Sequence, residues 1–311
     1  MVSGDLPAVT RDRHVMASDL PAVARRRLRL AIRALREEAG LTQGEVATAL
    51  DWSLSKVQRI ESGEVTVSGT DLRALLDTLG VADPAAIAEL VQDARAARRR
   101  VAGWWDTPRY RSHLTPALMQ LIQFESQATT IRVFAPAMVP GVLQTPRHAD
   151  AVLGFWNGEL GMITDDQRVA RLEVRLRRRE HIFDRVDRPT FVLAIDESVL
   201  YRTAGTEVAI EQFQHLMRHV TDGKIILRIV PFALAGLAVT LGSFSVLELG
   251  SENDSVLYRE SWATDEVLHD PVLVSDHRRI FEAIERRSYG AERSSRLLEA
   301  RIAALRAEFD S

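Results

Sequence analysis

From Arg25 onward, apolar positions recur at helical spacing: Leu28, Ile32 and Leu35 form one stripe and arginines fill the other face. The pattern stops at Ala39-Gly40, where glycine accepts the left-handed conformation that closes a helix. A second short helix follows in "LTQGEVATAL". Thr42 and Glu45 have the spacing of a capping box, and Val46, Ala47 and Leu50 turn inward. Only Asp51 and Trp52 then intervene before Ser53 caps a third helix, which points Val57 and Ile60 inward and ends at Gly63. Ser68 or Thr70 opens a fourth, carrying Leu72, Leu75, Leu76 and Leu79, and "DPAAIAELVQDARAARRR" supplies a fifth that closes in a basic run. A compact all-α bundle over residues 25–102 is the expectation.

The flanks read differently. Residues 1–24 repeat a short phrase, "SGDLPAV" then "ASDLPAV", each too short to fold alone, and are expected to form a flexible arm. After Arg100 the texture turns to "GWWDTPRYRSHLTP", a connector opening a larger unit over 103–311. There, helical and strand patterns alternate. Helices are expected over Pro116–Ala128, through His148 to Phe155, over Asp165–Phe183 and over Thr206–Val220, with further helices at the end. Strands are expected in "TTIRVFAP", "TFVLAI", "KIILRIVPF", "GSFSVLELG" and "SVLYRES". The fold class is therefore α + α/β: an all-α N-terminal bundle followed by a larger mixed α/β domain.

Composition narrows the chemistry. The absence of cysteine excludes disulfide frameworks, thiolate metal sites and cysteine nucleophiles, and suits a reducing compartment. No apolar run is long enough to span a bilayer and the first residues lack a secretory hydrophobic stretch, so a cytoplasmic location and no membrane partner are expected. A net charge of −3 excludes a generally basic nucleic-acid coat, so any DNA binding must come from local patterning. One such local pattern is the run of Arg25, Arg26, Arg27, Arg29, Arg33 and Arg36, which either meets phosphates or is simply solvated.

The second and third helices, with their two-residue connection, have the spacing of a helix-turn-helix, and Ala47 is small enough for close crossing. The phrase "LRLAIRALREEAGLTQGEVATALDWSLSKVQRIESGE" resembles the lambda-repressor-like (XRE) regulators, down to the "LTQ" opening and the "RIESG" exit. The resemblance implies a phosphate contact by Gln43. It also implies that the first turns of the third helix face double-stranded DNA: Leu54, Ser55, Gln58 and Arg59 toward bases, Ser53 and Lys56 near the backbone. Gln and Arg suit that role because each forms bidentate hydrogen bonds to base edges. Glu61 would repel phosphate, so its expected role is local pairing with an arginine or a backbone group.

Further along, "VPGVLQTPRHADAVL", "RLEVRLRRREHIF", "FVLAIDESVLYR", "IILRIVPF" and "GSFSVLEL…SVLYRES" are similar to the C-terminal domain of the actinobacterial WhiJ-like or antitoxin-like helix-turn-helix proteins. That likeness implies a transcriptional regulator, with a small partner protein encoded nearby, and an antitoxin that represses its own operon as the alternative. An enzyme with a DNA-binding appendage is a third reading. Asp196 and Glu197 at a strand end can act as acid and base, or Asp196 can cap the turn that follows. His215 and His219 have the spacing of a shared zinc, without the glutamate of a metalloprotease motif. No phosphate loop or nucleophile elbow is present, so no catalytic residue, cofactor or metal is assigned. The Pro-Gly loop between Val139 and Pro146, with Trp104, Trp105, Trp156 and Trp262, can line a ligand pocket, or the tryptophans can be plain core. Leu298, Ile302, Leu305 and Phe309 have seam-like spacing, for docking or for a dimer contact; a homodimer is expected from the half-site logic of DNA reading.

Overall fold

Proline at the first turn sets where the first helix begins. This computed structural model describes residues 20–99, 103–202, 204–234, 241–250, 254–261 and 264–310. The chain divides into two units, Met1–Val101 and Ala102–Ser311. In the first unit, α1 spans Pro21–Glu38, four residues ahead of the expected start at Arg25. Pro21 has no N–H to lose and a φ already suited to a helix, and Ala22, Val23 and Ala24 are buried behind it. Residues 21–24 therefore belong to the bundle rather than to an arm, and residues 1–19 lie outside the described residues. Ala24 packs with Ala96 and Ala97.

The other helices of this unit are α2 (Gln43–Ala49), α3 (Leu54–Ser62), α4 (Gly69–Thr78) and α5 (Pro84–Ala96). Of the two candidate caps for α4, Ser68 holds the position, accepting a hydrogen bond from the Asp71 N–H. One core gathers Leu28 and Ile32 of α1, Val46 and Ala47 of α2, Val57 and Ile60 of α3, the leucines of α4, and Leu90 and Ala94 of α5.

The second unit opens with α6 (Pro108–Arg111) and α7 (Pro116–Glu125), then β1 (Thr130–Ala135), α8 (Pro146–Gly154), α9 (Asp165–Phe183), β2 (Thr190–Asp196), α10 (Thr206–Thr221) and β3 (Ile226–Val230). It continues through β4 (Ser243–Glu248), β5 (Ser255–Glu260), β6 (Asp265–Leu268), α11 (Pro271–Arg287) and α12 (Ala291–Phe309). The strands form one six-stranded sheet in the order β3-β2-β1-β4-β5-β6. β1, β2 and β3 run parallel, joined through α8–α9 and α10, and β4 to β6 are antiparallel. β2 reads as an unbroken apolar run because it is central in the parallel half, with every residue after Thr190 buried. β6 escapes the hydrophobic pattern: it is a short, acidic strand paired with β5 at the end of the sheet order, the composition that discourages further pairing. α7 ends three residues before the expected Ala128, in a turn that feeds β1.

α12 docks within the chain. Leu298, Ile302 and Leu305 are buried and the helix packs on α10 and β3, whereas Phe309, the fourth seam position, is exposed. The topology also singles out one place in the sheet. The chain leaves β1 toward β2 and β3 on one side, then returns to the other side as β4, whose Phe244 pairs with Phe134 near the carboxyl end of β1. In open α/β sheets such a reversal leaves a crevice outside the strand ends.

Candidate nucleic-acid interface

The connection between α2 and α3 is built by hydrogen bonds that a two-residue link dictates. Leu50 ends α2, the Asp51 N–H donates to Thr48 O at 3.3 Å, and the Trp52 N–H reaches back to Ala47 O at 2.8 Å. That is a Schellman closure, and it requires a left-handed residue at Asp51, whose φ is +53°. Aspartate is one of the few side chains that tolerates this conformation. Trp52 then folds onto the bundle core, and Ser53 Oγ accepts from the Lys56 N–H at 3.2 Å to start α3.

α3 divides cleanly by exposure. Val57, Ile60 and Glu61 are buried, and Ser53, Leu54, Ser55, Gln58 and Arg59 are exposed. Leu54 is 47% exposed, unusual for a leucine on a helix this short. Lys56 is held back: its Nζ lies 3.6 Å above the Trp52 ring and 3.2 Å from Asp71 Oδ1.

The position of α3 is set by a carboxylate. Glu61 accepts from Arg36 Nε at 2.6 Å and Arg36 Nη2 at 3.1 Å, and from Gln43 Nε2 at 2.8 Å, tying α3 to the end of α1 and the start of α2. Arg36 also donates to Leu41 O at 2.8 Å. The hydrogen bond and charge of Glu61 raise the basicity of Arg36 against the opposing effect of burial. The pairing expected of Glu61 is thus with Arg36, and it recruits Gln43 as well. The Gln43 amide has a second N–H, so this contact does not exhaust it as a donor. At the other end of α3, Arg29 Nη1 donates to Ser62 O at 3.0 Å across Gly63, where a Cβ would lie 2.8 Å from Arg29 Cδ.

The arginine run of α1 is largely engaged in the fold. Arg26 and Arg29 are buried, Arg27 pairs with Asp93, and Arg33 pairs with Glu37 at 2.8 Å. Burial, then the neighbouring charges of Arg26 and Arg33, pull Arg29 down to about 9.

In the second unit the structure distributes the remaining candidates. Asp196 accepts from the Ser198 N–H at 2.9 Å and caps the turn after β2, and Glu197 accepts from the Phe232 N–H at 3.1 Å. The two imidazoles of His215 and His219 approach to 3.2 Å, Nε2 to Nε2, but Arg179 Nη1 stands 3.3 Å from His215 Nε2. A guanidinium there opposes a cation, and no group of three or more metal-ligating side chains occurs among the described residues. Burial, followed by neighbouring cations, lowers both histidines to about 4. Trp104 and Trp105 pack edge to face with each other and with His181, and Trp156 packs on Phe155 instead, so these do not share one pocket. Trp262 lies outside the described residues. Two features escaped the sequence reading: the buried Arg178–Glu125 pair, and Arg175, which approaches Gly141 of the Pro-Gly loop. The arginine density of α9 is their only sequence signal.

Among the described residues, no helix is long and apolar enough to cross a membrane. Residues 27–90 match the helix-turn-helix domain model, which makes the first unit a DNA-binding domain and the chain a DNA-binding regulator. No curated protein and no solved structure matches the chain. Residues 118–300, well over half its length, match the model of a domain of unknown function, DUF5753. The chain belongs to the DUF5753 family, with a helix-turn-helix domain preceding the family domain.

Proposed function

We propose that this chain is a sequence-specific transcriptional regulator that reads the major groove with α3 and receives a small ligand or partner protein on its C-terminal domain. The reader begins with α1 at Pro21 and the receiver occupies residues 103–311. Gln58 and Arg59 make bidentate contacts to base edges, Leu54 meets a thymine methyl and Ser55 assists. Ser53, Lys56 and the second N–H of Gln43 serve the phosphates. What carries this reading is the division of α3: one face is locked by Val57, Ile60 and the Arg36–Glu61–Gln43 contact, and the other offers Leu54, Ser55, Gln58 and Arg59 to solvent. Recognition through a helix requires that combination, because base readout fails when the helix can roll. A single short helix reads one half-site, so the working form is a homodimer on a two-fold symmetric operator.

Genome-wide immunoprecipitation, then footprinting of the recovered sites with Gln58→Ala and Arg59→Ala, tests the assignment. Each substitution should cost about 1–3 kcal/mol of discrimination at one base position. Binding by both variants as tight and as selective as wild type would sink it.

A further inference from the structure

α9 carries two largely buried arginines three residues apart, and they are treated in opposite ways. Arg178 is answered in full: Glu125 accepts from its Nε at 3.0 Å and its Nη2 at 2.6 Å. Arg175 has no hydrogen-bond acceptor and no ion pair among the described residues, although its Nη1 is shut off from solvent. The carboxylate whose field reaches it, Glu260, makes no hydrogen bond to it and is itself exposed, while Arg171 and Arg178 oppose its charge. A sequestered guanidinium with no partner is rare, because desolvating the charge is costly unless something accepts from it.

The surroundings are those of a receptor rather than of a packing fault. Arg175 lies against Gly141, where a Cβ would stand 3.0 Å from its Nε, so the loop after β1 is shaped to admit the side chain. That loop is stitched from below. Gln212 accepts from the Thr145 N–H and donates to Leu143 O, both at 2.8 Å, and Gln144 Nε2 donates to Val139 O at 2.9 Å. On α8, which packs on α9, His148 Nδ1 is likewise buried without a partner among the described residues. The charge of Arg175 reaches His148, adding to burial in disfavouring its protonated form. The place is also the one the topology marks, beyond the carboxyl end of β1 where the chain reverses its direction across the sheet.

We propose that Arg175 and His148, over the Gly141 loop, form a binding site for an oxyanion, the carboxylate or phosphate group of a small effector. Arg175 supplies the charge and the paired N–H geometry that suits such a group. Neutral His148 supplies a further donor through Nδ1–H. The assignment deepens the receiver reading and rests on it only for the effect on DNA. Binding is measured here without DNA, so failure of one reading leaves the other standing.

Calorimetric unfolding of the full chain in sodium phosphate, and separately in sodium acetate, against sodium chloride at matched ionic strength provides the test. NMR titration of the His148 ring signals accompanies it. Wild type should show a raised unfolding midpoint and saturable His148 shifts with at least one of the two oxyanions, and the stronger arm identifies the preferred group. Arg175→Met should weaken binding about tenfold or more, the loss expected for one charge-assisted contact. In chloride, the same variant should unfold at or above the wild-type midpoint, because no hydrogen-bond or ion-pair partner among the described residues is lost. Arg175→Lys should fold and bind with intermediate strength. A phosphate response in Arg175→Met equal to wild type would mark a general salt effect and overturn the proposal. So would a lower midpoint of Arg175→Met in chloride, which would give the guanidinium a structural partner, or an absence of saturable His148 shifts in the wild type with both oxyanions.

Discussion

Arg36 of the first unit and Arg175 of the second are both partly buried, and the protein uses them oppositely. Arg36 is met by both oxygens of Glu61 and by Leu41 O, and the result is a fixed angle for α3. Among the described residues Arg175 meets nothing that accepts from it, and it packs on a loop that leaves it room. A paired buried charge is a geometric fastener; an unpaired one is a demand for a ligand. The difference lies not in the helix that carries the arginine, since α9 contains both kinds, but in whether the fold brings a carboxylate to it.

The largest expected effect breaks the fastener. Glu61→Ala leaves the partly buried Arg36 with only Leu41 O and the exposed Glu37 to answer it, and frees Gln43, so unfolding of the first unit should become easier by about 2–3 kcal/mol. Chemical denaturation followed by Trp52 fluorescence would measure it. If Arg36→Met in the same background restores most of the loss, the damage came from the stranded charge, as the comparison requires. A Glu61→Ala cost below about 1 kcal/mol would show that the contact is ornamental.

The second effect enlarges the unanswered side of the comparison. His215 and His219 face each other and Arg179, with Arg218 and Lys224 also near, and Asp222 is the acid whose field favours protonation of His219. Both are lowered to about 4, so the folded unit binds fewer protons than the unfolded chain between about 4 and the ordinary histidine value near 6.5. Stability from this pair is therefore fully present above about 6.5 and is lost as pH falls toward about 4. His215→Phe should flatten that slope, measured as the denaturation midpoint of the second unit at several pH values. An unchanged slope would mean that other groups govern the acid limb.

What was legible in the chain was local. Thr42, Ser53 and Gly63 act at separations of three or four residues, where spacing alone decides the hydrogen bond, and α9 runs over Asp165–Phe183 as expected. The exposed side of α3 was readable for the same reason, because Val57 and Ile60 leave only one face free. The pairings that position α3 were not: Arg36 and Glu61 are 25 residues apart, and Glu125 and Arg178 are 53 apart. Nothing in the arginine run of α1 distinguishes Arg36 from Arg33 until the bundle closes. The start of α1 was misplaced because Leu20 makes no side-chain cap and the burial of Ala24 comes partly from Ala96 and Ala97 at the far end of the unit. β6 was missed because an edge strand need not alternate apolar with polar.

The smallest effect sharpens the comparison from its middle ground. Lys56 is neither buried nor free: its side chain is 36% exposed, stacked over Trp52 and 3.2 Å from Asp71, itself 32% exposed. Half-exposed pairs are screened, so Lys56→Met, which keeps the stem on the indole, should cost the first unit about 1 kcal/mol or less. Its larger consequence should appear on DNA. A phosphate that draws Lys56 away from Asp71 trades one ion pair for another, and removal of the charge should reduce the slope of log K against log salt by about 0.9 without changing base preference. A change in preference would place Lys56 among the base readers. An unchanged slope would leave it wholly a tether for Trp52, a weaker counterpart of the Arg36–Glu61 contact on the opposite side of the same helix.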